Sequence, residues 1–238
     1  MKIICISICC ILFCSSCSVL EQKSKQQLSS GIYKSTTFDD KKKLVYIDNK
    51  EETVVIYPIN KDEKGNLIID TLHHKKQIYL EQYNSDHIKS SVFLKNSFDV
   101  DFLTIPFKYR PAQKDLPNQF TTNLNGEVYF GYRTDAYSLD YKLNPFQKFN
   151  RNINHYAFSF GLFTGFGGTA MNPSVTQEKI VKEYDGVVWS KGIAGIIGVN
   201  NFTIGIAIGY DNLLDENKQY WIYQNKLWYG LAFGLNLN

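Results

Sequence analysis

The sequence predicts an all-β protein: an antiparallel up-and-down transmembrane β-barrel of about eight strands, preceded by a lipoprotein-type signal and a polar tether. Three observations lead there. The first is GIAGIIGVNNFTIGIAIGYDN at 192–212. As one membrane helix it would put Asn200 and Asn201 at mid-membrane beside five glycines, at a cost of several kcal/mol. As a hairpin, Asn-Asn becomes a two-residue turn whose positive φ angles asparagine tolerates. Paired numbers then sum to 401, so Val199 faces Phe202, Ile197 faces Ile204 and Ile193 faces Ile208 on one side. Gly198 faces Thr203, Ala194 faces Ala207, Gly192 faces Gly209 and Ser190 faces Asp211 on the other. Only Ile196 and Gly195 break the sorting of large from small, and a helix has no reason to sort this way.

The second observation is that other segments follow the same rule. In HYAFSFGLFTGFGG, Tyr156, Phe158, Phe160 and Leu162 alternate with Ala157, Ser159, Gly161 and Phe163. In LWYGLAFGLNLN, Leu227, Tyr229, Leu231, Phe233, Leu235 and Leu237 alternate with Trp228, Gly230, Ala232, Gly234, Asn236 and Asn238. The second face is small and almost uncharged, a poor surface for water but a good lining for a narrow packed lumen. The third is topology. If the Asn-Asn turn is a short periplasmic one, the polar segments 169–186 and 211–226 are outer loops. Trp189, Tyr210, Trp228 and Tyr229 then gather at the outer rim as an aromatic girdle.

The elements follow in order. Residues 1–16 (MKIICISICCILFCSS) have a basic start, a short apolar run and small residues before Cys17, the pattern of a secretory signal. FCSSC at 13–17 resembles a lipobox with Cys14 where leucine usually stands, which makes Cys17 the lipid-attachment residue. An ordinary cleaved signal is the alternative. Residues 17–43 are polar and lysine-rich and are expected to be a lipid-anchored linker. Residues 44–95 hold short β-like runs (KLVYI, ETVVIYPI, NLIID, QIYLEQ, SVFLKN), from which two further strands are expected. Residues 96–238 carry the barrel, with strands near 98–110, 120–140, 155–167, 187–199, 202–210 and 227–238.

Composition limits the chemistry. The net charge of +3 comes from 26 basic and 23 acidic residues, a balance that does not point to nucleic acid. All five cysteines lie in the first seventeen residues, so no disulfide or thiolate metal site is expected in the fold. His73, His74 and His87 have no carboxylate at ligand spacing, and Asp211, Asp215 and Glu216 fit no EF-hand, so no metal is expected. No P-loop, HExxH, GxSxG or strand-linked GxGxxG motif occurs. His155 and Ser159 share an inner strand face, about 13 Å apart along the backbone, too far for a base and its nucleophile without help. His155 is expected at the solvated periplasmic rim.

The period of two in LTIPFKYR and GEVYFGYR turns Lys108, Arg110, Glu127 and Arg133 inward, with Asp211 beside them. An ion-pair plug and a selective pore both fit such a cluster. About eight strands leave an interior just filled by side chains, which favours the plug.

The stretches SFDVDFLTIPFKYRP, LNGEVYFGYRTD, IGYDNLLD and WIYQNKLWYGLAFGLNLN resemble small outer-membrane β-barrel proteins of Bacteroides-type Gram-negative bacteria, many of them uncharacterised lipoproteins. The resemblance implies a barrel in the outer membrane and no particular activity. The expectation is a non-enzymatic barrel lipoprotein without cofactor, in contact with outer-membrane lipid. Its role would be structural, or binding of an extracellular partner through loops 169–186 and 211–226. The alternatives are a small barrel enzyme acting on membrane lipid and a soluble, lipid-tethered β-barrel around an apolar ligand.

Overall fold

The structure, a computed structural model, describes residues 27–50, 52–71, 76–84, 90–114, 116–200 and 202–235. Thirteen strands among them form one antiparallel sheet. The first six are short: β1 (Gly31–Ser35), β2 (Lys43–Asn49), β3 (Thr53–Lys61), β4 (Leu67–Ile69), β5 (Gln77–Leu80) and β6 (Gln82–Tyr83). They are followed by β7 (Ser91–Arg110), the short β8 (Gln119–Thr122) and β9 (Asn125–Leu143). The chain continues through β10 (Phe149–Met171), β11 (Tyr184–Val199), β12 (Phe202–Leu213) and β13 (Leu227–Leu235).

The predicted hairpin is present with its register. β11 pairs β12 from Val199↔Phe202 to Ser190↔Asp211 and beyond, and Asn200 takes φ 50° at the turn. The two exceptions to the sorting compensate each other. Inward Ile196 faces Gly205, and outward Gly195 faces Ile206.

Pairing continues from β10 to β9 and from β9 to β7, and β13 returns to the second half of β7, from Tyr229↔Tyr109 to Leu235↔Phe102. The closed ring therefore runs through six strands, where about eight were expected. The segment 44–95 supplies the first residues of β7 together with strands that do not enter this ring. The first half of β7 pairs with β1 instead, followed by β2 and β3. Residues 77–83 then bridge β3, through β5, to β10, through β6. Arg151 N–H donating to the Glu81 carbonyl (2.8 Å) spans the residue between them.

A second circuit thus closes beneath the first, and β7, β9 and β10 run through both. These are the strands of 20, 19 and 23 residues, long enough at about 3.3 Å per residue to serve two stacked rings.

The linker expectation for 17–43 is corrected at its C-terminal end. Leu28 is buried and β1 is a full member of the lower ring. Its alternation of Ile32 and Lys34 outward with Tyr33 and Ser35 inward is short and polar, so it is hidden by the lysine-rich composition around it. Cys17, the signal and His73, His74 and His87 lie outside the described residues.

Each ring has its own core. In the lower ring Leu28, Tyr33, Val45, Ile47, Val54, Ile56, Tyr79, Phe93, Tyr137 and Leu139 pack together. Tyr33 meets Phe93 and Tyr137 edge-on. Burial raises the pKa of the Tyr33 and Tyr79 hydroxyls above the ordinary tyrosine value. Both hydroxyls are nevertheless satisfied, Tyr33 donating to the Ser29 carbonyl (2.8 Å) and Tyr79 bonding Ser91 Oγ (2.6 Å). In the upper ring Leu103, Ile105, Tyr129, Phe163, Ala194, Ile196, Ala207, Trp228 and Ala232 fill the middle. The space is tight: a Cβ at Gly161 would lie 2.1 Å from the Phe130 carbonyl oxygen of the neighbouring strand.

The connections differ at the two ends. Segments 111–124, 172–183 and 214–226 join strands at the upper end, whereas 144–148 and the Asn-Asn turn join them at the lower ends. The upper segments fold inward. Trp221, Ile222 and Tyr223 are buried with Met171, Val188 and Leu213, and Ile222 N–H donates to the Val175 carbonyl (3.0 Å). They close the upper mouth of the ring.

Because Phe93 lies at the centre of the lower core, on a strand common to both rings, Phe93→Ala should destabilise the protein by about 3–5 kcal/mol. Phe93→Leu should cost markedly less. Denaturant unfolding followed by near-ultraviolet circular dichroism measures both, and equal losses would contradict the packing account.

Candidate functional site

Period-two strands turn every second residue of the upper ring inward, and the interior is layered along its axis. Directly beneath the cap, Asp211 is the centre of a buried network. Lys108 Nζ donates to both Asp211 oxygens (3.0 and 3.1 Å) and to Ser190 Oγ (3.1 Å). Ser190 Oγ donates to Asp211 Oδ1 (2.6 Å), and Arg110 Nη2 completes the set on Oδ2. The Lys108 ammonium also sits 4.3 Å from the centre of the Trp228 ring. Glu127 is fully buried beside Ser190 and Lys108, with no hydrogen bond of good geometry to either of its oxygens. Its neighbour Gly165 makes room for it, since a Cβ there would lie 2.4 Å from Glu127 Oε2.

Below the apolar middle layer lies a second charged group. Arg133 Nε donates to Asp135 Oδ1 (2.8 Å), and Nη1 is 3.7 Å from Asp99 Oδ1. His155 Nε2 donates to the same Asp135 oxygen (2.7 Å), and its ring stacks on Tyr137 with centroids 4.7 Å apart. Asp101 is buried nearby on β7. Ser159 bonds Tyr129 Oη (2.9 Å), between this group and the apolar layer.

Three sequence expectations change here. Lys108, Arg110, Glu127, Arg133 and Asp211 all point inward, but not as one cluster: Arg133 belongs to the lower group, separated by the apolar layer. His155 is buried (2% exposed) and carboxylate-paired rather than solvated at the rim. Its strand continues into the lower ring, and the Asn-Asn turn packs on its backbone, with Asn200 N–H donating to the His155 carbonyl. Trp228 is likewise buried against Lys108, so the rim aromatics are Trp189, Tyr210 and Tyr229, joined by Tyr109. Asp211 is committed to Lys108 and Arg110, and Asp215 caps the short helix 216–219 by accepting from Asn217 N–H. Among the described residues no group of three or more His, Cys, Asp or Glu could hold a metal ion.

Sequence reasoning missed Asp99, Asp101 and Asp135 as interior partners, whereas Ser190 stands opposite Asp211 on the inner face as expected. The alternation in Asp99-Val-Asp101 and Arg133-Thr-Asp135 was the available signal. On β7 a bulge obscured it. The β7–β13 register shifts between Thr104↔Phe233 and Phe107↔Leu231, so inward positions are odd through Ile105 and even from Lys108. Pro106, which has no N–H to lose, sits at the shift. The Asn125 side chain stands in for a strand there, accepting from Ile105 N–H and donating to its carbonyl, both at 2.6 Å.

Comparison with protein-family profiles, curated proteins and solved structures finds no match to this chain.

The arrangement is a packed, internally compensated interior, and its electrostatics are testable. Asp211→Asn leaves Lys108 and Arg110 buried without their counter-ion and should cost about 3–5 kcal/mol. Adding Lys108→Met to that variant should restore part of the loss, and a double-mutant cycle in denaturant unfolding measures the coupling.

Proposed function

We propose that the upper ring is a transmembrane β-barrel of a Gram-negative outer membrane and that the protein is a non-enzymatic barrel lipoprotein whose loop-capped end binds a partner. One observation carries this reading: the outward face changes character along continuous strands. On β10 the outward residues are Asn150, Asn152 and Asn154, then Tyr156, Phe158, Phe160 and Leu162. On β9, read toward its start, Lys142, Asp140 and Ser138 give way through Ala136 and Thr134 to Tyr132, Phe130 and Val128. On β7 Asn96 is followed by Phe98, Val100 and Phe102. The aromatic and aliphatic band continues through Ile193, Ile197, Ile204, Ile206 and Leu231, all largely exposed.

An exposed apolar surface of this extent is far beyond what a water-soluble monomer carries. From Tyr156 to Phe166 the band spans about ten residues, as a tilted strand needs to cross a bilayer. Lys191 is the charged residue within the band. Its ammonium lies 4.2 Å from the Trp189 ring centre and its cross-strand neighbour is Tyr210, the setting in which a lysine snorkels to an interface. In this reading the lower ring is periplasmic, on the same side as the N-terminal tether and a lipid on Cys17. The longer upper segments face outward.

Six strands fall below the usual minimum of about eight for such barrels. Close interior packing and a second ring in series offset the small circumference. The filled, ion-paired lumen favours a plug over a pore. A soluble barrel around an apolar ligand would need the bulky face inward. An enzyme acting on membrane lipid gains a histidine–carboxylate pair in His155 and Asp135. That pair is enclosed, however, and Ser159 bonds Tyr129 instead of His155.

The test is electrophoretic mobility in SDS of protein from a washed outer-membrane fraction. The unboiled protein should migrate faster than the boiled protein, and Ile204→Asp with Ile206→Asp should abolish the fast form. A single unshifted band from protein released once its lipid is removed would sink the transmembrane reading.

A further inference from the structure

The outward face of the upper ring is not smooth. A groove of about 480 Å³ crosses β9, β10 and β11 just below the upper rim, walled by Phe130, Leu162, Trp189 and Ile193. Phe130, Leu162 and Ile193 stand in one cross-strand row, and the smaller Thr164 above Leu162 leaves the depression. Trp189 Nε1 donates to Thr164 Oγ1 (2.8 Å), and that hydroxyl donates to the Ser190 carbonyl (3.3 Å). The indole is thereby held in place, and the Lys191 ammonium, which lines the groove, lies 4.2 Å from its ring centre. Lower on β11 the outward Gly195 opens a second depression of about 490 Å³ between Phe158, Ile197, Ile204 and Ile206.

Lys191 differs from the interior charges. It is partly exposed, and among the described residues no carboxylate pairs with it. The nearest outward carboxylate on β11 is Asp185, about 20 Å higher along the strand. An unpaired cation at the top of an apolar groove is complementary to a molecule with an anionic head and an apolar tail. A water-soluble anion would leave the groove unused, and a lipid without net charge would leave the cation unbalanced.

We propose that this groove binds one anionic, phosphate-headed lipid of the upper leaflet, with Lys191 on the phosphate and an acyl chain lying along β11. The ammonium keeps its contact with the Trp189 ring and offers its N–H donors to the phosphate oxygens as a point charge. From Lys191 to Ile197 the strand runs about 20 Å. Tilted by about 45°, it descends roughly one leaflet of a hydrocarbon core about 30 Å thick. An acyl chain that starts at Lys191 therefore reaches the second depression. The proposal rests on the membrane reading of the upper ring and names the lipid that the ring would hold.

The test uses the full chain purified in detergent and native mass spectrometry, which counts the lipids retained on the protein. Phosphatidylglycerol and phosphatidylcholine with the same acyl chains are added separately. One phosphatidylglycerol should be retained roughly fivefold more strongly than phosphatidylcholine. Lys191→Gln should bring the first down to the level of the second, whereas Thr164→Leu, which fills the groove, should weaken both. Both positions face outward, so neither substitution disturbs the interior. Soluble glycerol phosphate in excess should not displace the lipid. Equal retention of the two lipids, an undiminished preference in Lys191→Gln, undiminished retention in Thr164→Leu, or displacement by glycerol phosphate would overturn the proposal. The SDS mobility of the same preparation is read separately. A heat-modifiable band without lipid preference refutes the site alone, and a preference without a heat-modifiable band refutes the membrane placement alone.

Discussion

The return of β13 to the second half of β7 is the pairing on which the rest of the structure depends. An open six-strand sheet would leave two edges and a face of either kind to solvent. Closure satisfies the backbone and divides every strand into an inner and an outer series. The consequences are strict because side chains alternate with a period of two. A residue such as Asp211 is in the interior because its neighbours Tyr210 and Asn212 are not. The interior must then hold its own charged groups, which it does by setting Asp211 among Lys108, Arg110 and Ser190 above and Asp135 between Arg133 and His155 below.

How far the sequence could be read follows from the same geometry. The β11–β12 hairpin was legible in full, because a two-residue turn fixes register and the large and small residues confirm it. The inward direction of Lys108, Arg110, Glu127, Arg133 and Asp211 was also legible, since it needs only parity within a strand. Partners across strands were not. Asp135 and His155 are twenty residues apart and meet only through the β9–β10 register. The bulge at Pro106 reversed parity midway along β7, so Asp99 and Lys108 both face inward although one position is odd and the other even. β1 was hidden because it is five residues long and stands among lysines and serines that look like linker. The two-ring arrangement was out of reach, since it requires knowing that 77–83 reaches β10.

The layers also explain why the interior reads as a plug. Charged groups lie in two layers separated by Tyr129, Phe163, Ile196 and Trp228, so no continuous polar path runs along the axis. Above them Trp221 and Tyr223 cover Arg110. The mouth is therefore closed by buried side chains, while His155 and Asp135 serve the packing between the rings.

The three strands shared by the rings impose an order on how the chain can fold. Residues 31–61 emerge early but find no wall until Phe93 and Leu94 arrive, and the lower circuit closes only when Tyr83 meets Phe149. The upper circuit waits longer, for residues 229–235 to return to a strand that ends at Arg110. Such separations in sequence make loop closure costly before any contact offsets it, which slows folding. The N-terminal third of the chain therefore has to stay soluble while incomplete. Its run of lysines at 41–43 and its charged turn at 61–64 keep that waiting segment hydrated.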